Sequence, residues 1–87
     1  MPRYILFRTV GELSEGDVEA GALRSIEAAD QMPGVRWIRS YWSVEEGKFY
    51  CEYEAPSVEL LFEHARRARI PLDRVQVVQE LEPSMFR

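Results

Sequence analysis

The sequence predicts an α+β fold of order βαββαβ, and three observations carry that prediction. Four runs rich in β-branched and aromatic residues alternate with two segments of helical period, a capping signal opens each helical segment, and Gly or Pro marks every junction. Arg3 to Val10 forms the first strand and stops at Gly11. Ser14 caps the first helix, with Asp17 three residues on as a capping-box variant, and the helix reaches about Met32 before Pro33-Gly34 ends it. Its apolar stripe is Val18, Ala22, Ile26 and Ala29, while Glu15, Arg24, Glu27 and Asp30 lie largely off it. Val35 to Val44 and Lys48 to Glu54 are two strands of a hairpin, separated by Glu45-Glu46-Gly47, whose glycine supplies the positive φ of a tight turn. Ser57 caps the second helix. Glu59 suits that helix's positive end and Arg66, Arg67 and Arg69 its negative end, and Ile70-Pro71 stops it. Arg74 to Leu81 alternates polar and apolar residues, with Val75 and Val77 on one side, and is the last strand.

This order is the ferredoxin-like pattern, a four-stranded antiparallel sheet with two helices on one face. Residues 1–87 are expected to form one domain, because a chain this short buries only somewhat more than about 60% of its unfolded surface. A hydrophobic fraction of 46% with 30% charged residues fits a globular chain rather than a disordered one. The formal net charge of −4 argues against nucleic acid or an anionic membrane as the main partner. Cys51 is the lone cysteine, charge interrupts the N-terminal segment before a signal-peptide core develops, and no run approaches the roughly 18 apolar residues of a span. A cytoplasmic, reduced protein is the expectation.

Alternation splits the strands into two sets. Ile5, Phe7, Ile38, Trp42, Val44, Phe49, Cys51, Tyr53, Val75, Val77 and Leu81 form the more apolar set, which is assigned to the helices. Tyr4, Leu6, Arg8, Val35, Trp37, Arg39, Tyr41, Tyr50, Glu52, Glu54, Gln76, Val78 and Glu80 form the open face, aromatic and charged together. Pairing Val44 with Phe49 sets Tyr41 opposite Glu52 and Arg39 opposite Glu54. Such a face marks an interface or a ligand site, and a homodimer would cover it. The expected ligand residues are Arg8, Trp37, Arg39, Tyr41, Glu52 and Glu54, since guanidinium groups pair with carboxylates and stack on rings.

Cys51 and His64 raise the question of a metal. A structural zinc site needs about four Cys and His ligands at short spacing, and that set is absent. A core-facing cysteine behaves as a small hydrophobe, so no catalytic residue is assigned. His64 sits on the edge of the second helix's stripe of Val58, Leu61, Phe62, Ala65 and Ala68. It is either one ligand of a metal site completed by carboxylates such as Glu52, a mixture suited to nickel, zinc or iron, or a histidine bonded to a backbone carbonyl or water.

The blocks "VRWIRSYWS", "FYCEYEAPSVE", "EHARRA" and "IPLDRV" resemble, in that order and over nearly the whole chain, a family of small bacterial ferredoxin-like proteins of unassigned function, commonly labelled nickel-binding. The resemblance implies a fold close to the dimeric α/β-barrel proteins, in which two open sheets pack face to face around a cavity, and nickel as the cofactor. The family's motif positions fall on Cys51, Tyr53, Ala55 and Pro56, its helix histidine on His64, and its following turn on Pro71, Asp73 and Arg74. Two departures stand out. Arg39 occupies a position where many relatives carry histidine, and an arginine does not ordinarily ligate a cation, so that position suits an anion instead. Arg69-Ile70 replaces the usual glycine and alters the helix C-cap.

The reading is a homodimeric binding protein for a metal ion or a small acidic or aromatic molecule on the open face. The alternative is a cofactor-independent oxygenase, isomerase or cyclase of the dimeric α/β-barrel type with a carboxylate such as Glu52 as general base, which rests on fold analogy. Nucleic-acid recognition is disfavoured, because "GKFYCEY" lacks the internal glycine of the RNA-recognition signature and the chain is acidic.

Overall fold

A computed structural model describes residues 1–87. The elements are β1 (Arg3–Thr9), α1 (Glu15–Asp30), β2 (Arg36–Ser43), β3 (Lys48–Glu54), α2 (Val58–Ala68) and β4 (Arg74–Val78), followed by a 3-10 turn at Pro83–Phe86 that the sequence pattern did not predict. The sheet runs β2-β3-β1-β4 with every neighbouring pair antiparallel. This is the ferredoxin-like α+β arrangement. No helix is long and apolar enough to cross a membrane.

Both helix starts follow from local chemistry. Ser14 Oγ accepts from the Asp17 backbone N–H at 3.1 Å while the Asp17 carboxylate accepts from the Ser14 N–H at 3.0 Å, so the capping box is complete. Ser57 Oγ accepts from the Leu60 N–H. α2 ends with Arg69 in the left-handed region, φ 56° and ψ 48°, where glycine is the usual occupant, and the Ile70 N–H closes onto the Ala65 carbonyl.

The core of the helix side is Tyr4, Leu6, Met32, Val35, Cys51, Tyr53, Ala55 and Leu61. Leu6 and Leu61 are completely buried, each contributing roughly 1.5–3 kcal/mol by leaving water. Cys51 faces the helices as expected, but β1 is turned over relative to the sequence assignment. Tyr4, Leu6 and Arg8 face the helices, and Ile5 and Phe7 face outward. Pairing decides this, because Leu6 lies opposite Cys51 and Tyr4 opposite Tyr53, and directly paired residues share a face.

The hairpin register is also corrected. Trp42, not Val44, pairs with Phe49, Tyr41 pairs with Tyr50, and Arg39 pairs with Glu52. The turn takes four residues, Val44 to Gly47, with Gly47 at φ 68° and its N–H bonded to the Ser43 carbonyl. Val44 is therefore an exposed turn residue. β4 stops at Val78, leaving Leu81 exposed beyond it, and Val77 is exposed because it lies on an edge strand. On α1 the packed face centres on Ser25 and Ala28, and Ile26 is exposed.

His64 is not a rim residue: it is completely buried. A position on the edge of one helix's stripe is covered or bare according to the neighbouring helix, and here α1 covers it by presenting small residues, Ser25 and Ala28. His64 Nε2 lies 2.9 Å from the Ser25 carbonyl and must donate to it, leaving Nδ1 as a buried acceptor without a partner. Its ring meets Tyr53 edge-on, centroids 5.3 Å apart. Burial pushes the imidazole below its ordinary value, the Ser25 carbonyl opposes that shift, and the charge of Arg8 adds to it.

Two consequences are testable. Gly34 connects α1 to β2 at φ 86°, and a Cβ there would stand 2.8 Å from Pro56 Cγ. Gly34→Ala should destabilise the fold by about 1–2 kcal/mol from the left-handed backbone alone, read as a lower urea midpoint; an unchanged midpoint would refute the requirement. His64 is depressed in the folded state, so its contribution is complete above the unfolded value of 6.5 and is lost as pH falls through 6.5 toward the folded value. Urea titrations from pH 7.5 to about 5 should show the wild type losing stability relative to His64→Gln, and a constant difference between the two would contradict a neutral buried imidazole.

Candidate functional site

The six residues expected to share the open face are divided between the two sides of the sheet. Arg8 lies opposite Phe49 and Trp37 opposite Tyr53, which puts both on the helix side. Arg39, Tyr41, Glu52 and Glu54 remain on the open side, Arg39 opposite Glu52 and Tyr41 opposite Tyr50. The cause is a register shift between Trp37 and Arg39: one extra residue in β2 lets Trp37, Ser40 and Trp42 all lie on the helix side.

Open-side carboxylates are held by arginines. Arg3 Nη1 meets Glu52 at 2.6 Å and Glu80 at 3.2 Å, Arg39 Nε approaches Glu52 at 3.3 Å, and Arg36 Nη2 meets Glu54 at 2.6 Å. The Arg36 hydrogen bond holds the Glu54 carboxyl below its usual range, with desolvation opposing it and the charges of Arg36 and Arg3 assisting. Beside this lattice Phe7 and Tyr50 meet edge-on, and the Arg74 guanidinium lies 4.1 Å over the Phe7 ring. His64 and Glu52, the expected metal pair, do not meet, for one is sealed between the helices and the sheet and the other stands on the open face. No three of His, Cys, Asp and Glu come together in the chain to hold a metal.

The helix side holds a cleft of about 490 Å³ between the N-terminal half of α1 and the sheet. Its origin is side-chain size. α1 presents Gly21, Ala22 and Ser25 to the cleft, which are too short to fill the gap, while Ala29 near its end and Met32 just beyond it pack into the core. The sheet supplies the opposite wall with Trp37, Phe49, Cys51 and Tyr53. Trp37 stacks on Tyr53 at 6.4 Å with the planes 15° apart, and Trp42 stacks on Phe49 behind it. The rim includes Asp17, Arg24 and Arg69.

Arg8 is the polar residue that defines the cleft. It is 4% exposed, yet none of the chain's ion pairs involves it. Nη1 donates to the Pro71 carbonyl at 2.7 Å, the guanidinium lies 6.0 Å from the Tyr53 ring centroid, and Nη2 is buried with no partner. Nearby, Trp37 Nε1 donates to Ser40 Oγ at 2.8 Å, which leaves the Ser40 O–H free to donate. Burial pushes the Tyr53 phenol up to about 12 despite the adjacent Arg8 charge, so it stays a neutral O–H donor. The sequence pattern names Arg8 and Trp37 as ligand residues but assigns them to the open face, whereas pairing places them on the helix side. The signal it passes over is the cluster of small residues on α1.

The fold is similar to the crystal structure of SCO4226 from Streptomyces coelicolor A3(2), with a TM-score of 0.82 and 15% identity over 92% of this chain and 99% of that chain. No curated protein matches the chain. The family model "Nickel responsive protein SCO4226-like" matches residues 4–78. The chain belongs to this nickel-responsive SCO4226-like family.

Proposed function

We propose that the protein is a binding protein whose small organic ligand occupies the cleft between α1 and the sheet. The observation that carries this reading is the cleft itself, whose volume of about 490 Å³ falls among small-molecule sites. Such sites combine apolar and aromatic walls with a few polar groups that orient the ligand. Here Trp37, Phe49 and Tyr53 are the walls, and Arg8 and Ser40 the orienting groups. This moves the ligand from the open face, where the sequence pattern suggests it, to the opposite side of the sheet.

Nickel, which the family name brings to mind, does not fit the residues of one chain. His64 commits Nε2 to a carbonyl and buries Nδ1, Cys51 is in the core, and Glu52 and Glu54 are neutralised by arginines. Arginine at position 39 adds positive charge where a cation would have to sit.

Two experiments test this reading. Calorimetric titration of tag-free protein with naphthalene-2-carboxylate should give saturable binding, and Ala22→Phe, which projects a ring into the cleft, should abolish it while the circular dichroism spectrum stays native; absence of saturation in the wild type would sink the reading. Nickel titrations of the same tag-free protein and of His64→Ala should superimpose. Stoichiometric nickel binding that disappears in the variant would restore His64 as a metal ligand.

A further inference from the structure

We infer that the cleft selects an organic carboxylate carried on a flat apolar body, with Arg8 as its recognition residue; this inference rests on reading the cleft as the ligand site. A guanidinium removed from water is costly unless an anion or a full set of acceptors replaces the lost hydration. Arg8 is 4% exposed with one carbonyl acceptor, and its Nη2 has none. The Tyr53 ring face supplies some compensation, but no carboxylate of this chain reaches Arg8. The missing partner is therefore an acceptor that carries negative charge, and Arg8 is part of the cleft wall where such a group would enter.

The other cleft groups point the same way. Arg8, Arg24 and Arg69 line the cleft against Asp17 as the only acid, so the cleft is cationic within a chain whose formal net charge is −4. That balance repels a divalent cation and attracts an oxyanion. The hydroxyl groups of Ser40 and Tyr53 are both in a state to donate, as worked out above, so the polar wall offers donors to a ligand rich in acceptors. The ligand's body is specified by shape. Trp37 and Tyr53 stack nearly parallel, at 15°, and with Phe49 they present ring surface that suits a flat apolar group. Arg8 also ties β1 to the turn after α2 through the Pro71 carbonyl. A purely structural role of that kind predicts no preference between a carboxylate and its neutral amide, which gives the test its discriminating power.

Naphthalene-2-carboxylate and naphthalene-2-carboxamide, equal in shape and different in charge, are titrated into tag-free wild-type protein by calorimetry, with the Trp37 indole N–H followed by ¹⁵N NMR as a marker of the cleft. The carboxylate should bind about 10- to 100-fold more tightly, as expected for charge-assisted hydrogen bonds. Both probes should shift the Trp37 resonance. Arg8→Met should remove the preference for the carboxylate, costing the carboxylate far more affinity than the amide, whose carbonyl makes only the weaker neutral-acceptor hydrogen bond. Equal affinities in the wild type, with the Trp37 shift present, would overturn the carboxylate inference and leave the cleft as a neutral-ligand site. Because that comparison uses the unmodified chain, it stands even where Arg8→Met fails to fold. If neither probe bound or moved the Trp37 resonance, the binding-cleft reading itself would fall, and the inference with it.

Discussion

Moving a guanidinium out of water costs several kcal/mol, and much of the helix side of this molecule is arranged around that cost at Arg8. The turn after α2 supplies one compensation. Arg69 adopts the left-handed conformation that ends the helix, and the chain then brings the Pro71 carbonyl to Arg8 Nη1. Tyr53 supplies another through its ring face, and Tyr53 is in turn fixed by Trp37 on one side and His64 on another. His64 is held by the Ser25 carbonyl of α1. A single chain of contacts thus runs from β1 through β3 and α2 to α1, and the cleft is the space left beside it.

The two sides of the sheet manage charge differently. On the open side Arg3, Arg36 and Arg39 each meet a carboxylate at a partly exposed position, where solvent screening leaves such pairs serving register more than stability, and Arg74 rests on the Phe7 ring. On the helix side a cation is buried without an anion, where removing water makes every electrostatic interaction stronger. In the first arrangement Glu52, Glu54 and Glu80 each have an arginine of the chain, although Arg3 Nε is itself buried without a partner. The second has a cation with no anion at all, and that cation lines a cleft, which is why the site is argued from Arg8 rather than from the more numerous charges of the open face.

Elements and their order were legible because their signals are local: Ser14 with Asp17, Ser57, Gly47 and Pro71 each act within a few residues. Sidedness was less legible. In β1 both Tyr4-Leu6 and Ile5-Phe7 are apolar pairs, so alternation alone cannot choose between them, and the choice is made by pairing with Cys51 and Tyr53 on β3. β2 misled for another reason, since the shift between Trp37 and Arg39 breaks the period that assigns faces. His64 was placed on a helix rim because the period of α2 says nothing about how closely α1 approaches. The cleft was illegible as such, being made by what Gly21, Ala22 and Ser25 lack rather than by a motif.

The turning over of β1 and the division of charge between the two faces share one cause, the parity of the strands. In "RYILFR" the two arginines stand five residues apart, so Arg3 and Arg8 must project to opposite faces of β1. On β3 Glu52 and Glu54 alternate with Cys51 and Tyr53, and the β1–β3 register places the glutamates on the side of Arg3. Arg3 consequently lies among Glu52, Glu54 and Glu80, and Arg8 between the Tyr53 ring and the Pro71 carbonyl. A slip of one residue between β1 and β3 would turn one strand over relative to the other, burying Arg3 and exposing Arg8, or burying the glutamates in place of Cys51 and Tyr53. The same alternation that neutralises the open face therefore leaves the cleft with a cation and no anion, and the two faces follow from one register.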